Sequence, residues 1–250
     1  MNAYMGIVAN EKNINGIIVD SDNKVIVKAS IDVGKKLFKR VKELVSILLD
    51  KIDGSDYVVS SVGVTGDYRK IVGNWLGASV CNEIMSLARG SEVYQDVDVI
   101  LASDGNDAKI IYLDEGKIRD YEIRDFMLGD NVVRVFRDLI GDREFCGKVI
   151  ITGDIVNDVE VISGLKCLCR DARVEIDKDN IMGTIGIAMI GRDSGNNCYI
   201  SKELLDMKLD IKEDSCGGCD NKCKMVYVLR GDNIINCWGN ECKRGEELSI

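Results

Sequence analysis

Five of the ten cysteines in this sequence fall between residues 213 and 250. They read Cys216-Gly217-Gly218-Cys219-Asp220-Asn221-Lys222-Cys223, followed by Cys237 and Cys242. Thiolates so spaced can surround one metal ion or an iron–sulfur cluster, and the glycine pair lets the chain bend until they converge. Spacing alone leaves two quartets open. One is Cys216, Cys219, Cys223 and Cys242; the other is Cys216, Cys219, Cys237 and Cys242, the two knuckles of a zinc ribbon with Cys223 spare. Histidine is absent from the chain, which removes the commonest general base and leaves cysteine as the only good soft-metal ligand. Cys81, Cys146, Cys167, Cys169 and Cys198 lack metal-site spacing and read as buried thiols.

The other residues that could do chemistry are the Asp/Gly turns, and the elements around them are repeated. Val97–Leu101, Ala108–Leu113 and Lys117–Ile123 are strand-sized apolar runs split by Asp104-Gly105-Asn106-Asp107 and Asp114-Glu115-Gly116, the pattern of a three-stranded meander. Tyr4–Ala9, Ile14–Val19 and Lys24–Ala29 form an earlier one. Val64-Thr65-Gly66-Asp67 follows the first meander and Ile151-Thr152-Gly153-Asp154 the second, so the chain reads as a duplicated β-β-β-α-β-α unit. As plain structure, 104–107 is a hairpin turn, and Thr152-Gly153-Asp154 is a strand-to-helix turn in which Asp154 caps a helix beginning near Val156.

A 3.6-residue apolar stripe predicts a helix over 33–51, a strand follows over 57–64, and two helices over 68–75 and 80–89. The second half repeats this with a helix over 131–140, a strand over 148–152, a helix over 156–169, a short strand over 172–176 and a closing helix over 180–190. Gly183, Gly186 and Ala188 pack that last helix closely. The expected architecture is α/β, with a first lobe at 1–92, a second at 93–192, a connector at 193–212 and a Cys-rich metal-binding module at 213–250. The formal charge of −9 argues against nucleic acid as a partner. No apolar run approaches the roughly 20 residues that span a membrane, so a cytoplasmic protein without a membrane partner is expected. Ten cysteines without a secretion signal suit free thiols and metal ligands.

The duplicated unit resembles the actin-like ATPase superfamily, the ribonuclease H-like fold shared by sugar kinases and heat-shock chaperones. Within it the chain looks most like the BadF/BadG/BcrA/BcrD-type ATPases, the activators of 2-hydroxyacyl-CoA dehydratases and the ATPase subunits of benzoyl-CoA reductase. The residues that carry the resemblance are Tyr4-Met5-Gly6-Ile7, Val64-Thr65-Gly66-Asp67-Tyr68-Arg69, Ala88-Arg89-Gly90, Gly105-Asn106-Asp107-Ala108-Lys109, Ile151-Thr152-Gly153-Asp154 and Gly183-Thr184-Ile185-Gly186. The resemblance implies an ATP site between the lobes, where glycine lets backbone approach phosphate and carboxylates hold the cation. Gly105, Asn106, Asp107, Thr152, Gly153, Asp154 and Gly183 are the nucleotide-contacting candidates. The family's two phosphate-loop Asp positions, however, fall on Val8 and Ala102, so competent ATP hydrolysis is not expected.

Those activators are also dimers bridged by a [4Fe-4S] cluster. The turn that would give its first cysteine reads Arg124-Asp125-Phe126-Met127 here, and the segment bearing the second is missing between Asn131 and Lys148. The tail instead resembles a Cys-rich module of long activator relatives, and that likeness favours Cys216, Cys219, Cys223 and Cys242 as ligands. The expectation is an activator-like accessory or electron-transfer protein with a Cys-ligated [4Fe-4S] cluster, zinc being the alternative cofactor. It would serve a redox or dehydratase-type protein partner, with a homodimer left open. The alternatives are a genuine ATP-dependent dehydratase activator and a zinc-stabilised regulatory or assembly protein.

Overall fold

The computed structural model describes residues 1–34, 36–104, 106–127, 130–196, 200, 205–206, 208–215 and 222–238. They belong to two units, Met1–Tyr199 and Ile200–Ile250. The first unit holds two sheets of one design. In the first, β1 (Asn2–Ala9), β2 (Asn13–Val19) and β3 (Val25–Asp32) form the meander, and β4 (Val58–Thr65) and β5 (Ser79–Val80) add to the other side of β1. The order β3-β2-β1-β4-β5 is antiparallel within the meander and parallel from β1 onward. The second sheet repeats it with β6 (Val99–Ser103), β7 (Asp107–Asp114), β8 (Lys117–Asp125), β9 (Lys148–Gly153) and β10 (Arg173–Ile176), in the order β10-β9-β6-β7-β8. This is an α/β two-lobed body.

Helices cover both sheets for reasons visible in their sequences. In α1 (Leu37–Asp50) the stripe Leu37, Val41, Leu44, Val45 and Leu48 is buried, a period that places one face on the sheet. It begins later than the stripe predicts, because Val33 N is still bonded to Lys12 O at 3.0 Å, Gly34 has φ +57° and Lys36 has a non-helical backbone. α2 (Arg69–Leu76) ends at left-handed Gly77. The expected helix over 80–89 is shorter and preceded by a strand. Ser79 and Val80 pair with Gly63 and Val64, and Asn82 Oδ1 then caps α3 (Glu83–Ser91) by accepting from Met85 N at 2.8 Å. Asn131 caps α4 (Val132–Ile140) in the same way. Asp154 does not cap a helix. Residues Asp154–Asn157 form a 3-10 turn, and Asp158 Oδ1 accepts from Glu160 N and Val161 N at the start of α5 (Val159–Leu168).

Each lobe lends a helix to the other. Ile84, Leu87 and Ala88 of α3 share a core with Ile100, Ala102, Ile111, Leu113 and Ile150 of the second sheet. Ile185, Ala188 and Met189 of α6 (Met182–Asp193) pack on Ile17 and Val19 of the first. The two helices cross at backbone contact: a Cβ on Gly186 would lie 1.7 Å from Ser86 O, and one on Gly90 would lie 1.9 Å from Met182 O. On its other side α6 is pressed against the sheet, where a Cβ on Gly6 would meet Thr184 O at 2.1 Å and one on Gly63 would meet Ile187 O at 2.0 Å. Gly183 is looser, with Leu87 Cδ2 at 3.4 Å.

The second unit contains an antiparallel sheet of β11 (Asp210–Ser215), β12 (Lys224–Arg230) and β13 (Asn233–Trp238). Cys223, Met225 and Cys237 form its small core, with Tyr227 packed against them. None of the described helices is long and apolar enough to cross a membrane.

Candidate functional site: the cleft between the two lobes

The two lobes present matching strand ends to the cleft. Val8 of β1 lies beside Thr65 of β4, and Ala102 of β6 beside Thr152 of β9. Each threonine precedes a glycine with φ of +94° (Gly66) or +95° (Gly153), a region glycine enters without strain. Both glycines lie against the neighbouring strand, where a Cβ would come 2.6 Å from Ala9 O or 2.1 Å from Ser103 O. The Thr-Gly-Asp echo therefore encodes a close turn in each lobe. Asp67 accepts from Glu11 N at 3.1 Å and holds the first hairpin.

Around these ends lie two small cavities. One, of about 20 Å³, is lined by Val8, Thr65, Ala102, Asp104, Thr152, Gly153 and Gly183 among others. Both positions where a phosphate-loop Asp was expected thus present an apolar side chain there. The second, of about 60 Å³, is lined by Asn106, Asp107, Lys109, Glu83, Asp104 and Asp154 with the first hairpin. A water needs about 10–15 Å³ on the same measure. On that measure each cavity holds one to a few waters.

The charges in the cleft answer one another. Lys109, the cross-strand partner of Ala102, is 7% exposed; its Nζ lies 3.2 Å from Glu83 Oε2 and also meets Asp107 Oδ1. Burial lowers the Lys109 pKa, but Glu83, Asp107 and Asp104 outweigh it and raise the pKa, so the ammonium is charged. Burial pushes Glu83 up, yet its hydrogen bond with Asp104 and the Lys109 charge leave it below its ordinary value. Asp104 goes the other way, held well above the usual carboxylate range by burial and then by Glu83. Of the two carboxyls, Asp104 is thus the one that holds a proton more readily. With Glu11, Asp67, Asp154 and Lys12 also lining this part of the cleft, its net charge is negative, opposite to what a polyphosphate requires.

A second network stands behind the cleft. Buried Asp177 accepts from Thr152 Oγ1 at 2.8 Å, from Met182 N at 2.8 Å and from the Tyr94 hydroxyl at 2.9 Å. Burial and then Asp177 drive the Tyr94 pKa upward, keeping the phenol protonated as the donor. Asn180, in the left-handed region at φ +50°, accepts from Gly153 N at 3.0 Å. Thr152 and Gly153 thus satisfy their polar groups within the protein. Their counterpart Thr65 is fully buried, and its Oγ1 has no hydrogen-bond partner among the described residues.

Of the residues expected to contact nucleotide, Asn106, Asp107, Thr152, Gly153, Asp154 and Gly183 line the cleft, while Gly105 lies outside the described residues. Sequence reasoning missed Glu83 and Asp177. Glu83 follows an N-cap and looks like an ordinary first-turn acid, and Asp177 sits in an Asp/Asn-rich stretch that reads as a turn. Of the expected metal ligands, Cys223 is buried beside Cys237, whereas Cys216, Cys219 and Cys242 lie outside the described residues. Among the described residues no three carboxylates or thiols form a group that could hold a metal ion. Two cysteines expected to be buried, Cys146 and Cys167, are exposed. Cys146 lies in the loop before β9 and Cys167 near the end of α5, where neither faces the core.

Solved structures similar to this chain share the doubled-sheet body. The activator of 2-hydroxyisocaproyl-CoA dehydratase from Clostridium difficile, solved with bound ADPNP, aligns with TM-score 0.63 and 15% identity over 77% of this chain and 95% of its own. Component A of (R)-2-hydroxyglutaryl-CoA dehydratase from Acidaminococcus fermentans gives 0.65 and 14% over 78% and 99%. The body has the actin-like ATPase fold. The ethanolamine utilization protein EutJ from Carboxydothermus hydrogenoformans carries this actin-like fold too, at TM-score 0.58 and 11% identity over 76% of this chain and 90% of that one. No family model matches the sequence. No curated protein matches it either. At these identities the actin-like likeness speaks for the fold alone.

Proposed function

We propose that this protein is a non-hydrolysing relative of the dehydratase activators, an actin-like scaffold that serves a redox or dehydratase-type partner. The observation that carries this reading is Lys109. In a cleft that presents Val8 and Ala102 where carboxylates would hold a cation, the buried ammonium is already met by Glu83 and Asp107. A phosphate would have to displace a carboxylate from it and enter a net negative cleft. Calorimetric titration with Mg-ATP and Mg-ADP is expected to give no binding. Saturable binding accompanied by hydrolysis would favour a genuine ATP-dependent activator instead.

The tail is proposed to hold a [4Fe-4S] cluster through Cys216, Cys219, Cys223 and Cys242. Support comes from the donor chemistry and from the setting of Cys223, a thiol in a small apolar core with Met225 and Cys237, where a bound group would be screened from water. Such a cluster supplies one-electron transfer. The residues' part is to deprotonate, bind and shield it. Iron, sulfide and zinc analysis of protein purified without oxygen tests this. About four irons and four sulfides per chain are expected. One zinc without sulfide would make the tail a structural clasp and favour the regulatory or assembly reading.

A further inference from the structure

Residues 35–42 hold five Lys/Arg and no Asp or Glu, in a chain of formal charge −9. They open α1 against the preference of a helix, whose N-terminus carries partial positive charge and favours acids. Its first turn has no acid, and Lys36 at the N-cap makes no capping bond. α2 begins the same way, with Tyr68 at an N-cap that bonds nothing, Arg69 and Lys70 in its first turn, and no acid. α3 and α5, by contrast, start with a capping side chain and a glutamate. Both uncapped starts lie at one end of the first lobe, because β3 and β4, the strands before them, run in the same direction. The two helices touch: Phe38 meets Trp75 edge to face at 5.3 Å, and Lys42 Nζ stands 5.9 Å over the Trp75 ring. Arg40 is answered by Glu43 at 2.8 Å, and Arg69 donates to Gly66 O at 3.1 Å. Lys36, Lys39 and Lys70 are exposed and have no ion pair among the described residues. The acids of this end, Glu11, Asp32 and Asp67, are fewer than its cations, and Asp67 already accepts from Glu11 N.

We propose that the outer face formed by the first turns of α1 and α2 is a docking surface for a carboxylate-rich segment of a partner protein. Local rules broken at the expense of helix stability mark positions kept for another purpose, and unpaired lysines there are complementary to acids. At about 0.15 M salt the screening length is about 8 Å, so the face acts by its own charge and not by that of the whole chain. Its chemistry chooses among anionic partners. A helix that lies on a membrane gives its apolar side to lipid, but the apolar stripe of α1 is buried on its own sheet, and none of the exposed large apolar residues lies on α1 or α2. Single-stranded nucleic acid stacks on aromatic platforms, whereas Phe38 and Trp75 are 6% and 8% exposed. Bidentate capture of phosphate is the work of arginine. The unpaired cations here are lysines, point charges on flexible stems that can follow carboxylates at varied positions. This surface does not depend on what the cleft or the tail binds.

Fluorescence anisotropy of a labelled decaglutamate peptide titrated with the full chain, under reducing conditions and at low salt, tests this. Saturable binding that weakens as salt rises is expected. Lys36→Glu/Lys39→Glu should weaken it by about tenfold or more, while Lys117→Glu/Lys178→Glu, the same change of net charge on the second lobe, should leave it unaltered. The first pair should also melt above the wild type, because acids at a helix start are favourable; lysines that served only the fold would give a lower melting temperature. No binding of the peptide would overturn the proposal, as would equal weakening by the two pairs. Phosphatidylserine vesicles that bind the wild type and are released by Lys36→Glu/Lys39→Glu, with the peptide inert, would assign the face to a lipid surface instead.

Discussion

Gly186→Ala should be among the most damaging single-methyl changes in this chain. The added Cβ would sit 1.7 Å from Ser86 O and 2.6 Å from Gly90 N, both backbone atoms of α3, so no rotamer change relieves it. Nor can α6 retreat, because Thr184 O and Ile187 O already occupy the space that a Cβ on Gly6 or Gly63 would fill. Restoring ordinary contact requires the helices to separate by well over an ångström, loosening packing on both sheets. Overpacking costs about 1–3 kcal/mol where side chains can yield, and here they cannot. We expect about 3 kcal/mol or more, against a total of about 5–15 kcal/mol for a protein of ordinary stability. Gly183→Ala, three residues earlier on the same helix, meets only Leu87 Cδ2 at 3.4 Å. There the loss of glycine's backbone entropy in the unfolded chain should leave stability unchanged or raise it by up to about 1 kcal/mol. Urea unfolding followed by helical circular dichroism compares them. If both variants unfold within about 1 kcal/mol of each other, the backbone-tight crossing is not what fixes α6.

Lys109→Met strands Glu83 in the cleft, whose side chain is only 23% exposed. It should cost about 3 kcal/mol, with Lys109→Met/Glu83→Gln recovering most of that in the same urea assay; a double variant as weak as the single would show that the pair is not the cause. Asp104 predicts a pH dependence. Folding raises its pKa, so its contribution is fully present below the unfolded value and lost as pH rises through the folded one, whereas the lowered Glu83 contributes above its unfolded value and loses this as pH falls through the folded one. Asp104→Asn, which can still donate to Glu83, should therefore gain on the wild type as pH rises; a constant gap in melting temperature from acid to neutral pH would refute this. Alkylation mapped by mass spectrometry should label exposed Cys146 and Cys167 first and Cys169 far later, since burial pushes its thiol up to about 11. Equal rates for Cys167 and Cys169 would contradict the packing of α5.

The duplicated frame was legible because it rests on local periodicity: branched runs broken by Asp/Gly turns, and an apolar stripe at helical spacing. Ends of elements were less so. Val33 carries the apolar signal of α1 yet stays extended through its bond to Lys12 O, and Val80 reads as helix although it pairs with Val64. Both are decided by partners distant in sequence. That Val8 and Ala102 are apolar where the resemblance implies carboxylates could be read directly. What replaces them could not, because Glu83 reaches Lys109 only when α3 leaves its own lobe to pack on the second sheet. The Asp177 network is hidden for the same reason, since its donors come from Tyr94, Thr152 and Met182.

That exchange of helices also bears on whether placing carboxylates at Val8 and Ala102, as the resemblance implies, would make a nucleotide site. Ala102 and Lys109 are directly opposed across β6 and β7, so their Cβ atoms lie about 4.5–5.5 Å apart on one face. An aspartate at 102 would reach the ammonium that Glu83 and Asp107 now hold, adding another carboxylate to a cleft already net negative. Val8→Asp/Ala102→Asp is therefore expected to bind Mg-ATP no better than the wild type. Adding Glu83→Gln removes the closest internal competitor and frees Lys109 for an oxygen of phosphate. If calorimetry detects Mg-ATP binding in the double variant without that third change, the internal pairing of Lys109 is not what excludes the nucleotide, and the absence of the two carboxylates alone is.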